Sequence, residues 1–389
     1  MKFLKSNGLL IKVILAIITG ALLGSYTPES LTRVMVTFNS LFANLLSFSI
    51  PLIIVGLVTP AIASIGQGAK KLLLITVVLA YGSTLFSGMF TYLVSDYAFP
   101  FVITPELTGG SSDLLETAQL KPYFSIEMTP IMGVMAALIL SFILGIGGSI
   151  LPGSSSLRGV YDDFKSIIER YIVAVIIPLL PLHIFGLFLH MSAVGQAMPI
   201  ILLFSQVIAI IFALHILLLL IQFTIAGIVV KRNPLILLKN MLPAYFTALG
   251  TQSSAATIPV TLFQVKKNNV KDEIAEFVVP LCATIHLAGS TMKIVACAMA
   301  LMMMTNHPYD LTLMIGFICM LGIAMVAAPG VPGGAIMAAI GILQGILGFD
   351  DQLQALMIAL YIAMDSFGTA CNVTGDGAIA LIVDKISDR

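Results

Sequence analysis

The sequence predicts an all-α membrane protein, on three observations. Of its 389 residues, 59% are hydrophobic and only 10% charged, and the mean hydropathy is +1.06, whereas a soluble domain carries about 25% charged residues. Apolar runs long enough to cross a hydrocarbon core recur along the chain. The last of them is interrupted by the polar stretch 364–377, M-D-S-F-G-T-A-C-N-V-T-G-D-G.

Taken in order, the first run has Lys2, Lys5 and Lys12 around its start and no small-residue cleavage site after it, so it is read as a retained first helix. The runs at 8–26, 35–65, 71–95, 128–151, 165–192 and 198–230 each supply a span, which needs about 20 residues. Pro51, Pro60, Pro178 and Pro181 fall inside such runs and are expected to kink rather than end them, because neighbouring helices can satisfy the freed carbonyls. Residues 104–127, with Gly109, Gly110, Ser111 and Ser112, read as a polar loop, and 153–156 as another.

Lysine and arginine fix the orientation. Lys70, Lys71, Arg158, Lys165, Arg170, Lys231, Arg232, Lys239, Lys266, Lys267, Lys271, Lys385 and Arg389 join the N-terminal lysines at one set of helix ends, against Arg33 and Lys121 at the other. By the positive-inside rule the basic ends are cytoplasmic, and both termini with them. Two apolar segments then fail to cross. Residues 235–265 have lysines on both flanks and a polar tip, T-Q-S-S-A-A-T-I-P-V at 251–260. Residues 311–349 are flanked by His307, Asp310, Asp350 and Asp351, with the tip A-A-P-G-V-P-G-G at 327–334. Each is expected to enter, turn and return. Each also precedes a crossing helix expected to break near its middle, at H-L-A-G-S within 281–293 and at N-V-T-G-D-G in the final helix. Hairpin plus broken helix, twice and from opposite faces, is the pattern of an inverted repeat with its site at the membrane midplane.

In the final helix Asp365, Thr369, Asn372 and Asp376 are spaced four, three and four apart, which puts them on one helical face. The plain alternative is a carboxylate pair satisfied by backbone amides of the broken helices. Ionisable groups within a span are costly and mark function, so the stripe is read as the wall of a cavity for a small charged solute and cations.

With these residues in hand, 242–385 resembles the dicarboxylate/amino acid:cation symporter family, the glutamate-transporter homologues. The matching motifs are S-S-A-A-T-I-P-V, P-L-C-A-T-I-H-L-A-G-S, G-V-P-G-G and D-x-x-G-T-x-x-N-V-T-G-D. The first two also resemble the serine/threonine-transporting branch. Residues 8–230 agree in helix number, spacing and hydropathy, including I-P-L at 50–52. The resemblance implies eight transmembrane helices plus two re-entrant hairpins, an elevator-type fold and a homotrimer embedded in lipid. It divides the chain into scaffold helices 1 and 2 at 1–70, helix 3 of the transport domain at 71–103, a loop with scaffold helices 4 and 5 at 104–195, and the rest of the transport domain at 196–389. That last part holds helix 6, hairpin 1 at 235–265, helix 7 at 272–305, hairpin 2 at 311–349 and helix 8 at 352–386.

The resemblance also implies roles. Asp365 would pair with a substrate α-ammonium, Asn372 and Ser254 would hold its α-carboxylate, and Thr369, Ser290, Gln252, Gly368 and Val331 would border the rest of the substrate. Asp376 with carbonyls of Cys282, His286 and Asn372 would form one sodium site. Carbonyls of Thr284, Met325 and Ala328 would form another, closed by the second hairpin. Oxygen donors suit a hard cation. A third site, built on Ser83 and Thr84, is expected to be weak, because its family aspartate is Ala288 here.

Gly368 stands where acidic-substrate members carry arginine, and Gln252 where the first hairpin often does. A buried second carboxylate would lack a bidentate partner, so a neutral amino acid is the expected substrate, with Gly368 leaving volume for a bulky side chain. Lys293 and His286 lie in the broken seventh helix. Either could exchange a proton or stand in for a cation, which keeps open a proton-coupled or cation-independent carrier or exchanger beside sodium symport.

Other classes find less support. An acidic amino acid or dicarboxylate symporter lacks its arginine. A channel would need only a pore. An intramembrane enzyme would need a dyad, but Asp365 and Asp376 are three turns apart, about 16 Å along a helix. No Walker loop is present and no cofactor is expected. Net charge of zero gives no basic field for nucleic acid. Cys282, Cys297, Cys319 and Cys371 are spaced as buried thiols rather than as a zinc or disulfide set. A bacterial inner (plasma) membrane is the expected location.

Overall fold

The computed structural model describes residues 8–65, 70–103, 120–152, 155–195, 197–328 and 332–387, and no strand occurs among them. Val331, Lys2, Lys5, Arg389 and most of the loop at 104–127 lie outside the described residues.

The first part of the chain folds into helices of 16 to 37 residues, most of them apolar. They are α1 Gly8–Leu23, α2 Glu29–Ile65, α3 Lys70–Ala98, α4 Val134–Ile150, α5 Ser156–Tyr171, α6 Ile177–Ala193 and α7 Ala197–Val230. Pro51 and Pro60 sit inside α2 without ending it. Between α5 and α6 the chain makes a π-helical turn, Ile172–Ile176, just ahead of Pro178 and Pro181. The wider turn accommodates prolines that cannot donate to the preceding carbonyls. Arg158 donates to the carbonyls of Gly148 and Ala63 (2.9 and 2.8 Å), satisfying last-turn acceptors of α4 and α2 with one cation.

Shorter helices make up the last third. These are α8 Pro234–Thr251, α9 Ser254–Lys267, α10 Asp272–Ile285, α11 Ala288–Met304, α12 Leu311–Val326, α13 Gly334–Leu347, α14 Asp351–Ala363 and α15 Asp365–Ser387. Their starts follow local capping rules. Asn233 accepts from Leu235 N–H ahead of Pro234, and Ser253, Asp310 and Asp350 accept from Ala256, Leu313 and Leu353 N–H. Gly348, at φ +69°, closes α13 in the left-handed conformation that favours glycine.

Helices α8 and α9 pack as one hairpin and α12 and α13 as another. At 18, 14, 16 and 14 residues they rise about 21–27 Å, short of a ~30 Å hydrocarbon core. Five spans among the described residues are long and apolar enough to cross, or six if the bent pair α14–α15 counts as one. The eight expected from the sequence are therefore not met on length alone: α1 and α4 have only 16 and 17 residues.

One expectation is corrected. The seventh helix does break where expected, at His286–Leu287, but the final one breaks at Met364, where α14 and α15 meet at 62°. N-V-T-G-D-G lies in unbroken helix inside α15. Its glycines serve close packing instead: a Cβ on Gly375 would meet Gln222 Oε1 and His286 Cε1 at 2.8 Å, and one on Gly377 would meet Met241 Sδ at 2.9 Å.

Helix α15 is the hub, packed against α3, α7, α8, α9, α10 and α11. Almost every residue of α11, α14 and α15 is buried, while α1, α4 and α7 present Leu22, Ile150 and Ile228 outward. That inversion of a soluble protein's surface is the one lipid demands. Tyr309, in the α11–α12 turn, donates to Asp96 at the end of α3 (2.9 Å). Burial, followed by that carboxylate, pushes its phenol up to about 12.

Candidate functional site

The two hairpins and the two helix breaks meet at one cleft. Gln252, Ser253 and Ser254 come from the first hairpin's tip, Thr284, Leu287 and Ser290 from the α10–α11 break, Ala328 and Ala335 from the second hairpin, and Tyr361, Asp365, Thr369 and Asn372 from α14 and α15. The cavity holds about 40 Å³, room for roughly three waters at 10–15 Å³ each. Helices α9, α11, α13 and α15 all begin at this point, so their first-turn N–H groups and the positive ends of four dipoles surround it.

Gln252 closes α8 in a left-handed conformation (φ +53°) and is itself buried. The tip can therefore turn in two residues, and Ser253 then caps α9. At the α10–α11 break a Cβ on Gly289 would lie 2.7 Å from the Gly368 carbonyl. Only glycine lets the start of α11 approach α15 so closely, and Asn372 uses that approach. Its Oδ1 accepts from Gly289 and Ser290 N–H (2.8 and 3.3 Å), and its Nδ2 donates to Ser290 Oγ (3.0 Å). Tyr361 Oη donates to the same hydroxyl at 3.2 Å.

Asp365 is 6% exposed and engaged through both oxygens. Oδ2 accepts from Gly333 N–H at 2.7 Å, and Oδ1 faces Lys293 Nζ at 3.4 Å. Lys293 is 1% exposed. Its ammonium also donates to the Met364 carbonyl (3.3 Å) and lies 3.7 Å from the centre of the Tyr361 ring. This arrangement corrects the reading of Gly368. A Cβ there would fall inside the Lys293 side chain, 2.5 Å from Nζ, so the missing side chain makes room for lysine rather than for a bulky substrate.

Farther along α15, Asp376 is also buried and is met by a different partner. Its Oδ1 accepts from His286 Nδ1 at 2.9 Å. His286 Nε2 contacts Ser83 Oγ (3.0 Å), which accepts from Gln222 Nε2 (3.1 Å). Because a carboxylate only accepts, the imidazole proton sits on Nδ1, and Nε2 takes the Ser83 hydroxyl. The expected carbonyl donors are present but shared: Cys282 O accepts from His286 N–H, and Met325 O from Ala328 N–H. Thr84 donates to its own helix, at the Ala80 carbonyl.

The structure thus brings Gln252, Ser254, Ser290, Asp365, Thr369 and Asn372 to one cleft, with Thr284 and Ala328 on its wall. It sets Asp376, His286 and Cys282 apart from that cleft. Gln222 and Tyr361 were missed in the sequence. Gln222 was signalled by being one of two amides, with Gln206, among the apolar residues of 198–230, since a polar group in a span needs a reason to be there. Its Oε1 has no hydrogen-bond partner among the described residues and lies against Gly375 of α15. No group of three or more His, Cys, Asp or Glu side chains suited to a metal occurs among the described residues.

Comparison with known proteins agrees with this picture. A family model described as "Sodium:dicarboxylate symporter family" matches residues 9–386. Proteins named "Serine/threonine transporter SstT" from three strains of Acinetobacter baumannii are 25%, 25% and 24% identical over 403 aligned positions, covering 99% of this chain and 98% of theirs.

Proposed function

We propose that this chain, which belongs to the sodium:dicarboxylate symporter family, is a sodium-coupled symporter of a small neutral amino acid. A multi-pass membrane transporter that is not an enzyme follows from the family; the substrate, the coupling ion and the motion are our reading. The observation that carries it is the convergence of two hairpins and two broken spans on Asp365, Thr369 and Asn372. Asp365 takes the α-ammonium, while the first turn of α9 and Asn372 take the α-carboxylate. No second carboxylate is matched, because no lysine or arginine lines the cleft among the described residues. The volume of about 40 Å³ favours a small side chain, in line with relatives named as serine/threonine transporters. Sodium binds at Asp376 and at the second hairpin's carbonyls, and by linkage each ligand raises the other's affinity.

The protein spans the membrane eight times with two re-entrant hairpins and works as a homotrimer in the plasma membrane, both termini inside. Helices α1, α2 and α4–α6 are the fixed scaffold. Helices α3 and α7–α15 carry the solute across as one body.

One observation favours a second reading, coupling to protons or to no cation: His286 places an imidazole on the Asp376 carboxylate. Reconstitution in liposomes with sodium, proton and substrate gradients imposed separately, across a panel of amino acids, decides between them. Sodium-driven accumulation of a small neutral amino acid is expected. Competition by aspartate alone overturns the substrate, and fast sodium-free uptake that tracks the proton gradient overturns the coupling ion.

A further inference from the structure

A carrier that binds its solute through a buried carboxylate must also return empty, and an uncompensated carboxylate at that depth opposes the return. Lys293 addresses this from within the chain. Its ammonium reaches Asp365 Oδ1, the Met364 carbonyl and the Tyr361 ring at 3.4, 3.3 and 3.7 Å. No one of these three is a tight contact. A charge-assisted bond between ammonium and carboxylate closes to about 2.7–2.9 Å, so the pair is loose. The short contact on Asp365 is instead on the other oxygen, from Gly333 N–H at 2.7 Å. Oδ1 is therefore the oxygen open to exchange, and the lysine's flexible four-carbon stem lies in the space that Gly368 leaves by having no Cβ.

We infer that Lys293 is a tethered stand-in for the substrate's ammonium, neutralising Asp365 while the carrier is empty so that it reorients without a counter-transported cation. This rests on the reading of Asp365 as the ammonium partner. When substrate arrives, its ammonium takes Oδ1. Lys293 then keeps the Met364 carbonyl and the face of Tyr361, both of which stabilise a cation. The formal charge of the site is the same in both conditions: one carboxylate and one ammonium when empty, and the same pair plus a zwitterion when loaded. The carrier is thereby fitted for net uptake and not only for exchange.

The test compares two modes of transport in liposomes. Lys293→Met is expected to slow net uptake into substrate-free liposomes by at least about tenfold, because the empty return now carries an unpaired buried charge. Exchange into liposomes preloaded with substrate, which needs no empty return, is expected to stay within about threefold of the unaltered protein. A second measurement follows the substrate-free carrier directly, with one fluorophore on α5 and one at the α9–α10 turn. Interchange between the two faces slows in Lys293→Met and recovers in Lys293→Met/Asp365→Asn, where both charges are gone.

Net uptake and exchange falling by the same factor, neither falling, or interchange not recovering in the double variant would each overturn the inference. If instead the unaltered protein moves no amino acid, the reading of the substrate fails alone. The interchange measurement uses no substrate and still decides the role of Lys293.

Discussion

The two carboxylates of α15 sit on one face of one helix and are both buried, yet their surroundings differ in kind. Asp365 meets a primary ammonium whose other contacts, the Met364 carbonyl and the Tyr361 ring, lie at the bend that opens α15. Its second oxygen holds Gly333, at the start of the second hairpin's return helix. Asp376 meets an imidazole that hands its hydrogen bond on to Ser83 in α3 and to Gln222 in α7. The first carboxylate is tied to parts that begin or end nearby, whereas the second is tied to two long helices. If its carboxylate is lost, the lysine is left with a carbonyl and a ring face, whereas the imidazole keeps the Ser83 hydroxyl.

That difference can be broken by removing the carboxylates one at a time. Asp365→Ala strands a buried ammonium and should cost about 3–5 kcal/mol. Asp376→Ala leaves a neutral imidazole still held by Ser83, and should cost about 1–3 kcal/mol. Thermal unfolding of the purified protein in detergent measures both. Equal losses would mean that the two partners are equivalent after all.

A subtler change tests who occupies the space at Gly368. Gly368→Ala should destabilise by about 1–3 kcal/mol through overpacking against the Lys293 stem. The loss should shrink when combined with Lys293→Ala, which removes the stem that a Cβ at 368 would strike. Additive losses would put the strain somewhere other than at Lys293. The smallest effect belongs to the relay at the other carboxylate. Ser83→Ala removes one hydrogen bond to His286, worth about 1 kcal/mol. It should raise the sodium concentration for half-maximal uptake a few-fold while leaving KM for substrate unchanged at saturating sodium. A shift in KM alone would place Ser83 with the substrate instead.

The polar face of α15 was legible in the sequence, since spacings of four, three and four admit one helical reading. The helix pairs were legible too, because the polar tip at 251–260 divides 235–265 into α8 and α9. The position of the last break was not. Glycines at 375 and 377 suggest a break, yet here they buy close packing. Met364 carries no such mark, and the helix restarts there on an aspartate. The direction of Lys293 was equally hidden: periodicity shows that it is buried, but not that it crosses to the next helix and fills the gap at Gly368. The space read at Gly368, where an arginine is missing, turns out to hold a cation from α11 already.

The shortness of the hairpin helices bears on how the chain comes to be assembled. A rod of 14 to 18 residues rises less than the thickness of the oily layer, and an end left within that layer finds nothing but other protein to receive its amides and carbonyls. Such a rod cannot be released sideways into lipid as it leaves the ribosome and wait there alone. Its berth has to exist first, and the order of the polypeptide provides for that: α1 to α7, the last of them 34 residues long, are synthesised ahead of both hairpins.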